Sequence, residues 1–298
     1  MNISTSINVL HRPGYTPERG IRGCRKAGYT ALDFNYWDHQ KYVLGLTWKE
    51  EEAWANGIRS IAEEEGVRFT QMHGPVHGTS YVDMVMGLNE ESYFVLAERS
   101  IRTAAILGLP WVVFHATRVT QELESVKVRL QHNTAFYQRL LPIMEQTGVG
   151  IALENLVDKG AEPNGFPRRN YCSVPEEMIE LIDTLNHPLV GACWDTGHAN
   201  RQGLRQKALC ELGKRLKAVH INDNDGKEDQ HVLPYQGNID WKEVMDSLHA
   251  IKYEGDFTYE AHRSIKRLPD PMQEAGLKYS LALGNYLVSM MGEDGCVG

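Results

Sequence analysis

A strand–helix alternation repeated eight times constrains this chain more than any other feature. An apolar segment, Met1–Leu10, runs through Arg12-Pro13-Gly14 into a helical stretch, Pro17–Ala27, which Gly28 stops. Tyr29–Tyr36 then reads as a strand, Lys49–Glu65 as a charged amphipathic helix ended by Gly66, and Val67–His73 as the third strand. The unit recurs with a helix at Glu91–Leu107 before Gly108, the apolar, β-branched strand Trp111–His115, a helix at Lys127–Thr147 before Gly148, and the strand Val149–Leu156. Ser173, ahead of Val174-Pro175-Glu176, predicts an N-cap and a capping-box start for a helix reaching Leu185. Leu189–Asp195, Leu216–Ile221 and Asp256–Glu260 complete the strands, with helices at Trp241–Ile251 and Pro271–Met291.

Such alternation implies right-handed βαβ units and a parallel sheet. Eight units in 298 residues match the size of a closed (β/α)8 TIM barrel, here one domain over residues 1–298. With 42% hydrophobic residues the chain can bury a core of that size. A doubly wound open sheet is the alternative. It would carry a glycine-rich phosphate turn after its first strand, where this chain has His11-Arg12-Pro13-Gly14 and no GxGxxG. The longest insertions, Tyr36–Thr47 and Asp158–Arg169, follow strands two and five, on the side where barrel active-site loops lie.

The chemistry is concentrated at the strand ends. Strands three to eight finish in Met72-His73-Gly74-Pro75, Phe114-His115-Ala116, Leu153-Glu154-Asn155, Trp194-Asp195-Thr196-Gly197-His198, Val219-His220-Ile221-Asn222-Asp223 and Tyr259-Glu260-Ala261-His262. In a barrel these ends meet at one mouth. Three carboxylates sharing a partly buried mouth repel one another unless a proton or a cation intervenes. A divalent metal relieves that repulsion, and oxygen and imidazole donors without thiolate suit Mn²⁺, Co²⁺, Zn²⁺, Fe²⁺ or Mg²⁺. Glu154, Asp195, His220 and Glu260 read as the ligands, with His198 beside them. His73, His115, Asp229 and His231 divide between metal ligation and substrate contact; the last two lie in Asp229-Gln230-His231, on the loop after strand seven.

Other polar residues carry blander readings. His39, His77, His132, His187 and His249 fall on helices or loops and receive no role, and His262 is expected to support Glu260 from behind. Trp37, Trp111 and Trp241 read as packing residues. The charged run Lys49–Glu65 and the pair Arg168-Arg169 read as solvated faces.

Composition narrows the partners. Thirty-nine acidic against 31 basic residues leave a net charge of −8, which disfavours a nucleic-acid partner. No apolar run approaches the roughly 20 residues needed to span a bilayer, and Met1–Leu10 lacks the pattern of a signal peptide. Five cysteines without CxxC spacing suit reduced thiols in the cytoplasm. A homo-oligomer is left open.

The strand-end segments resemble the xylose isomerase-like superfamily of barrels, which includes sugar isomerases and epimerases and the endonuclease IV group. The most specific matches are Ala152-Leu153-Glu154-Asn155, Asp195-Thr196-Gly197-His198, Val219-His220-Ile221-Asn222-Asp223 and Pro234-Tyr235-Gln236-Gly237-Asn238-Ile239-Asp240-Trp241. For the sugar-epimerase members the resemblance implies one metal held by Glu154, Asp195, His220 and Glu260, with Glu154 and Glu260 also serving as the acid/base pair. It therefore implies a metal-dependent isomerase or epimerase of a sugar, sugar phosphate or cyclitol, working through a metal-stabilised enediolate. One departure matters. The ketohexose 3-epimerase branch has an arginine where this chain has Asp229-Gln230-His231. With His73, His115 and His198, that segment resembles the nine-ligand, three-metal pattern of endonuclease IV, implying up to three Zn²⁺ and a phosphoesterase or AP endonuclease as the alternative. A non-catalytic sugar-binding barrel is a third reading, weakened by the retention of all four central ligands.

Overall fold

Local capping chemistry sets the ends of several helices, and those stops set the strand ends. The computed structural model describes residues 1–10, 15–76, 90–117, 125–161, 167–168 and 170–291. In the helix Trp48–Glu65, Thr47 and Glu50 form a reciprocal capping box: the Thr47 N–H donates to Glu50 Oε2 at 2.7 Å, and the Glu50 N–H donates to Thr47 Oγ1 at 3.4 Å. Gly66 closes that helix at φ 63°, and Gly148 closes Leu141–Thr147 at φ 71°. Both lie in the left-handed region that a side chain resists.

The strands are β1 (Ile3–Ser6), β2 (Ala31–Asn35), β3 (Arg68–His73), β4 (Trp111–His115), β5 (Gly150–Glu154), the short pair β6 (Lys159–Ala161) and β7 (Pro167–Arg168), then β8 (Val190–Asp195), β9 (Leu216–His220) and β10 (Phe257–Tyr259). All except β6 and β7 form one parallel sheet in the order β10-β1-β2-β3-β4-β5-β8-β9. Just beyond β9 the ends of that sheet meet: the Ile221 N–H donates to Thr258 O at 2.8 Å and the Glu260 N–H to Ile221 O at 3.0 Å. The architecture is a (β/α)8 TIM barrel whose last seam is closed by a bridge rather than a full ladder.

Parallel register does much of the positioning. His115 pairs with Glu154, and Asp195 with His220, as direct neighbours across adjacent strands. Two residues earlier on the same strands, Val113, Ala152, Cys193 and Ala218 form a small apolar cluster. Strand periodicity of two sends both sets to the same face, so a floor of mostly small side chains lies directly beneath the polar mouth. Larger residues such as Trp194, Tyr29, Phe34 and Phe114 are fully buried in the main core.

Several local expectations are corrected. The helix expected at Lys127–Thr147 is two, Val126–Gln138 and Leu141–Thr147. Pro142 lacks an N–H and sits in the first turn of the second, where none is needed. Ser173 is not the cap of Pro175–Leu185. Val174 takes the extended cap position with no side-chain bond, because Pro175 opens the helix and leaves Ser173 one residue too far upstream. Between β8 and β9 the crossover consists of a short helix, Thr196–Arg201, and two 3-10 turns.

The run Lys49–Glu65 is also not wholly solvated. Glu51 is fully buried, accepting from Tyr36 Oη and Thr103 Oγ1, each at 2.8 Å, and pairing with Arg99. Arg99 Nη2 donates further to Val43 O at 2.8 Å and Leu46 O at 3.2 Å. It thereby braces the insertion after β2, which folds into a 3-10 turn, Tyr36–His39, and a short helix, Gln40–Leu44. Arg169 and His77, and the side chain of Arg168, lie outside the described residues.

Candidate metal centre

All nine strand-end and loop residues singled out from the sequence come together at the C-terminal mouth. They fall into three groups whose ligand atoms lie within 4.8 Å of one another: His73, His115 and Glu154; Glu154, Asp195, His220 and Glu260; and His198, Asp229 and His231. The central four are all buried. Glu154 belongs to two groups because its oxygens face different ways. Oε2 lies 3.1 Å from His115 Nε2 and 3.6 Å from His73 Nε2, whereas Oε1 lies 3.2 Å from both His220 Nδ1 and His198 Nδ1. His220 Nδ1 is also 3.5 Å from Glu260 Oε2. In the third group, Asp229 Oδ2 is 3.0 Å from His231 Nε2 and 3.8 Å from His198 Nε2.

Backbone carbonyls orient three of the imidazoles. His73 Nδ1 donates to Gly74 O at 3.0 Å, His198 Nδ1 to Asn155 O at 2.9 Å, and His231 Nδ1 to Glu260 O at 2.9 Å. A carbonyl oxygen can only accept, so each Nδ1 carries hydrogen and each Nε2 faces the mouth. His231 reaches its position with φ at 46°, held as the loop returns through the Asp223–Val232 bridge.

The residues fit a divalent cation. Burial pulls the His73 pKa down to about 3, so its ring is neutral and its Nε2 lone pair points towards the Glu154 carboxylate. Glu154 Oε2 is buried without a hydrogen-bond partner, as are His220 Nε2 and Asp229 Oδ1. Buried carboxylate and imidazole atoms left over in this way suit coordination of a divalent cation. Without one, protons must fill in. Burial favours the neutral form of Glu154, but His220 and His115 outweigh it and hold its pKa well below the usual range. Glu260 is pushed upward, mainly by burial. For His231, burial is outweighed by Glu260 and Asp229, which raise it to about 9. His198 is raised as well: burial opposes its charge, and the carboxylates of Asp195, Asp229 and Glu154 prevail.

Two asparagines that the sequence reading quoted without assigning a role turn out to organise Asp195. Asn155 Oδ1 accepts from the Asp195 N–H at 2.6 Å and its Nδ2 donates to Asp195 O at 2.9 Å. Asn222 Nδ2 donates to Asp195 Oδ2 at 2.8 Å, while Asp195 Oδ1 caps the following helix by accepting from the His198 N–H at 2.6 Å. Glycine in Asp195-Thr196-Gly197-His198 follows from the same arrangement, since a Cβ at Gly197 would stand 1.8 Å from Asn222 Oδ1. The available signal was adjacency: each asparagine lies within two residues of a ligand candidate. Beneath the mouth, Asp33 is buried, and that burial raises its pKa to about 7. Nothing in the strand pattern had marked it.

His262 opens the helix His262–Lys266 and packs against His231, with ring centroids 4.7 Å apart. It therefore supports the third group rather than Glu260. His39 stacks on Phe34 at 5.5 Å. Trp241 is buried and donates from Nε1 to Asp223 Oδ2 at 2.9 Å, which makes it a packing residue.

A profile of the xylose isomerase-like TIM barrel family matches residues 21–283. The chain belongs to that family. Uncharacterized protein y4fM of Sinorhizobium fredii is 26% identical over 290 residues, spanning 87% of each chain. A probable endonuclease 4 of Mycoplasmopsis pulmonis is 28% identical over 138 residues, which is 42% of this chain and 47% of that protein. Among solved structures, the apo form of the 3-keto-D-glucoside 4-epimerase YcjR from E. coli superposes with a TM-score of 0.70 at 17% identity, covering 96% of this chain and 99% of that one. At that identity the likeness speaks for the fold. No helix among the described residues is long and apolar enough to cross a membrane.

Proposed function

We propose that this chain is a divalent-metal isomerase or epimerase of a carbohydrate-like substrate, a sugar, sugar phosphate or cyclitol, acting by proton transfer next to a carbonyl. The observation that carries this reading is the central group, in which two buried glutamates flank His220 Nδ1 at 3.2 and 3.5 Å with Asp195 alongside. Glu154, Asp195, His220 and Glu260 would hold one Mn²⁺, Co²⁺, Zn²⁺ or Mg²⁺. A bound divalent ion supplies Lewis acidity that polarises the carbonyl and stabilises the charge left when the neighbouring C–H proton departs. Glu154 is the base that takes that proton. Glu260 comes from a strand across the mouth and returns a proton from the other face for epimerisation, while a single glutamate serving both steps gives isomerisation. His198 and His231 reach the substrate hydroxyls. The insertion after β2, braced by Arg99, excludes water from the reactive intermediate; part of the insertion after β5 lies outside the described residues. The sugar epimerase named among the solved structures supports this reading, and four free cysteines among the described residues suit a reducing cytoplasm.

Metal-loaded protein incubated in D₂O with a panel of keto-sugars, cyclitol ketones and their phosphates should incorporate deuterium at carbon. Glu154→Gln and Glu260→Gln should each abolish that exchange. Full exchange in either variant refutes the assignment.

A second reading rests on the two flanking groups, which share the arrangement expected for three metals. Three dications against four carboxylates leave a positive site suited to a phosphate ester, and the named endonuclease relative points the same way. About three tightly held zinc ions per chain, with phosphoester hydrolysis and no carbon-bound exchange, would establish it. About one exchangeable ion, with exchange, establishes the first.

A further inference from the structure

The last helix, Asp270–Ser289, turns Gln273, Leu277, Ser280, Gly284 and Leu287 inward. Its outer face is not the charged surface expected of a barrel helix. Met272, Tyr279 and Tyr286 follow one another at seven-residue spacing and are 53%, 55% and 54% exposed. Exposed Ala275, Ala282 and Ser289 alternate with them. Tyr235, 54% exposed, extends the stripe at its C-terminal end, where its hydroxyl lies 4.0 Å from Met290 Sδ. These are the two positions of a heptad seam, and they lie opposite the buried face.

We propose that this seam pairs with the same seam of a second copy of the chain, the two helices running antiparallel about a two-fold axis between residues 280 and 281. The spacing of large and small residues supports self-pairing. About that axis Tyr279 meets the partner's Ala282, Ala275 meets the partner's Tyr286, and Met272 meets the partner's Ser289. Every large side chain thus faces a small one, as an isologous contact requires of a single surface. Charge agrees. With a net charge of −8, two copies repel unless they meet on a face without acidic groups. The exposed seam carries only Lys278, already bonded to Glu274 at 2.7 Å. A seam about 25 Å long, at 1.5 Å per residue, buries less than roughly 1,200 Å² in total, at the low end for specific interfaces. The dimer is therefore reversible.

Sedimentation velocity of the full chain tests this, read from low micromolar to about 100 µM. The wild type should shift with concentration towards twice its 33.7 kDa mass. Ala282→Tyr sets two tyrosines against each other and should weaken association at least tenfold. The swap Tyr279→Ala/Ala282→Tyr restores large against small and should recover the dimer. These side chains are exposed, so an unchanged thermal midpoint in each variant separates association from folding. A wild type that stays monomeric at the highest concentration, a dimer indifferent to Ala282→Tyr, or a swap that fails to recover association would each overturn the proposal.

Discussion

Replacing Arg99 by methionine would leave the barrel strands untouched and remove the brace beneath the mouth loop after β2. Its guanidinium pairs with the fully buried Glu51 and donates to the carbonyls of Val43 and Leu46. Methionine fills a similar volume, so little of the cost is cavity. What remains is a carboxylate with two hydroxyl donors, Tyr36 and Thr103, and no countercharge. Breaking a buried pair by removing one partner costs about 3–5 kcal/mol. Unfolding entropy of about 2.1 cal/mol/K per residue over this chain gives roughly 0.6 kcal/mol/K, so the midpoint should fall by about 5–8 °C. Differential scanning calorimetry at neutral pH, with urea unfolding as a check, reads this directly. The double variant Glu51→Gln/Arg99→Met should recover most of the loss, because it removes the stranded charge as well. A single-variant cost below about 1 kcal/mol, or strictly additive losses in the double variant, would show that Glu51 finds water or another partner and that the brace is not electrostatic.

Three further outcomes are expected. Asn222→Ala removes the donor to Asp195 Oδ2 and should weaken Mn²⁺ or Zn²⁺ binding about 10- to 100-fold without lowering the midpoint of the metal-free protein by more than a few degrees; titration calorimetry that finds unchanged affinity would contradict the positioning role. Asp33 has its pKa raised by burial from 3.8 to about 7, so the folded state keeps a proton that the unfolded state releases, and stability declines as pH rises between these values. Asp33→Asn should therefore gain on the wild type across pH 4–7 in EDTA and hold a constant advantage above it; an advantage independent of pH through that window argues against a protonated Asp33. On the three-metal reading, His231, raised to about 9, carries a proton at neutral pH that a metal at the third group must displace. Metal affinity there should rise with pH up to about 9, with proton release visible as a buffer-dependent binding enthalpy, and a flat profile from pH 6 to 9 would exclude His231 as a ligand.

The repeated alternation with its glycine stops was enough to specify the barrel, because helix termination and strand polarity are local properties. The strand ends were legible for the same reason: an ionisable residue directly after an apolar run, as in Phe114-His115 or Val219-His220, can only sit at the mouth. Caps were less legible. Pro175 displaced the start expected at Ser173, and Pro142 divided a helix that periodicity alone had joined. Glu51 was invisible within a run of charge, since its burial depends on Arg99, which lies 48 residues away. The sequence by itself determined that the six strand-end side chains would converge, through strand order and the period of two; His198, Asp229 and His231 join them on the helix and loop that follow the strands. Only the tertiary structure decided how they divide into three groups, which oxygen of Glu154 faces which imidazole, and which backbone carbonyls fix the rings. Those outcomes depend on barrel closure, register and loop return, where distances of 3 to 4 Å between residues far apart in the chain decide between repulsion and coordination.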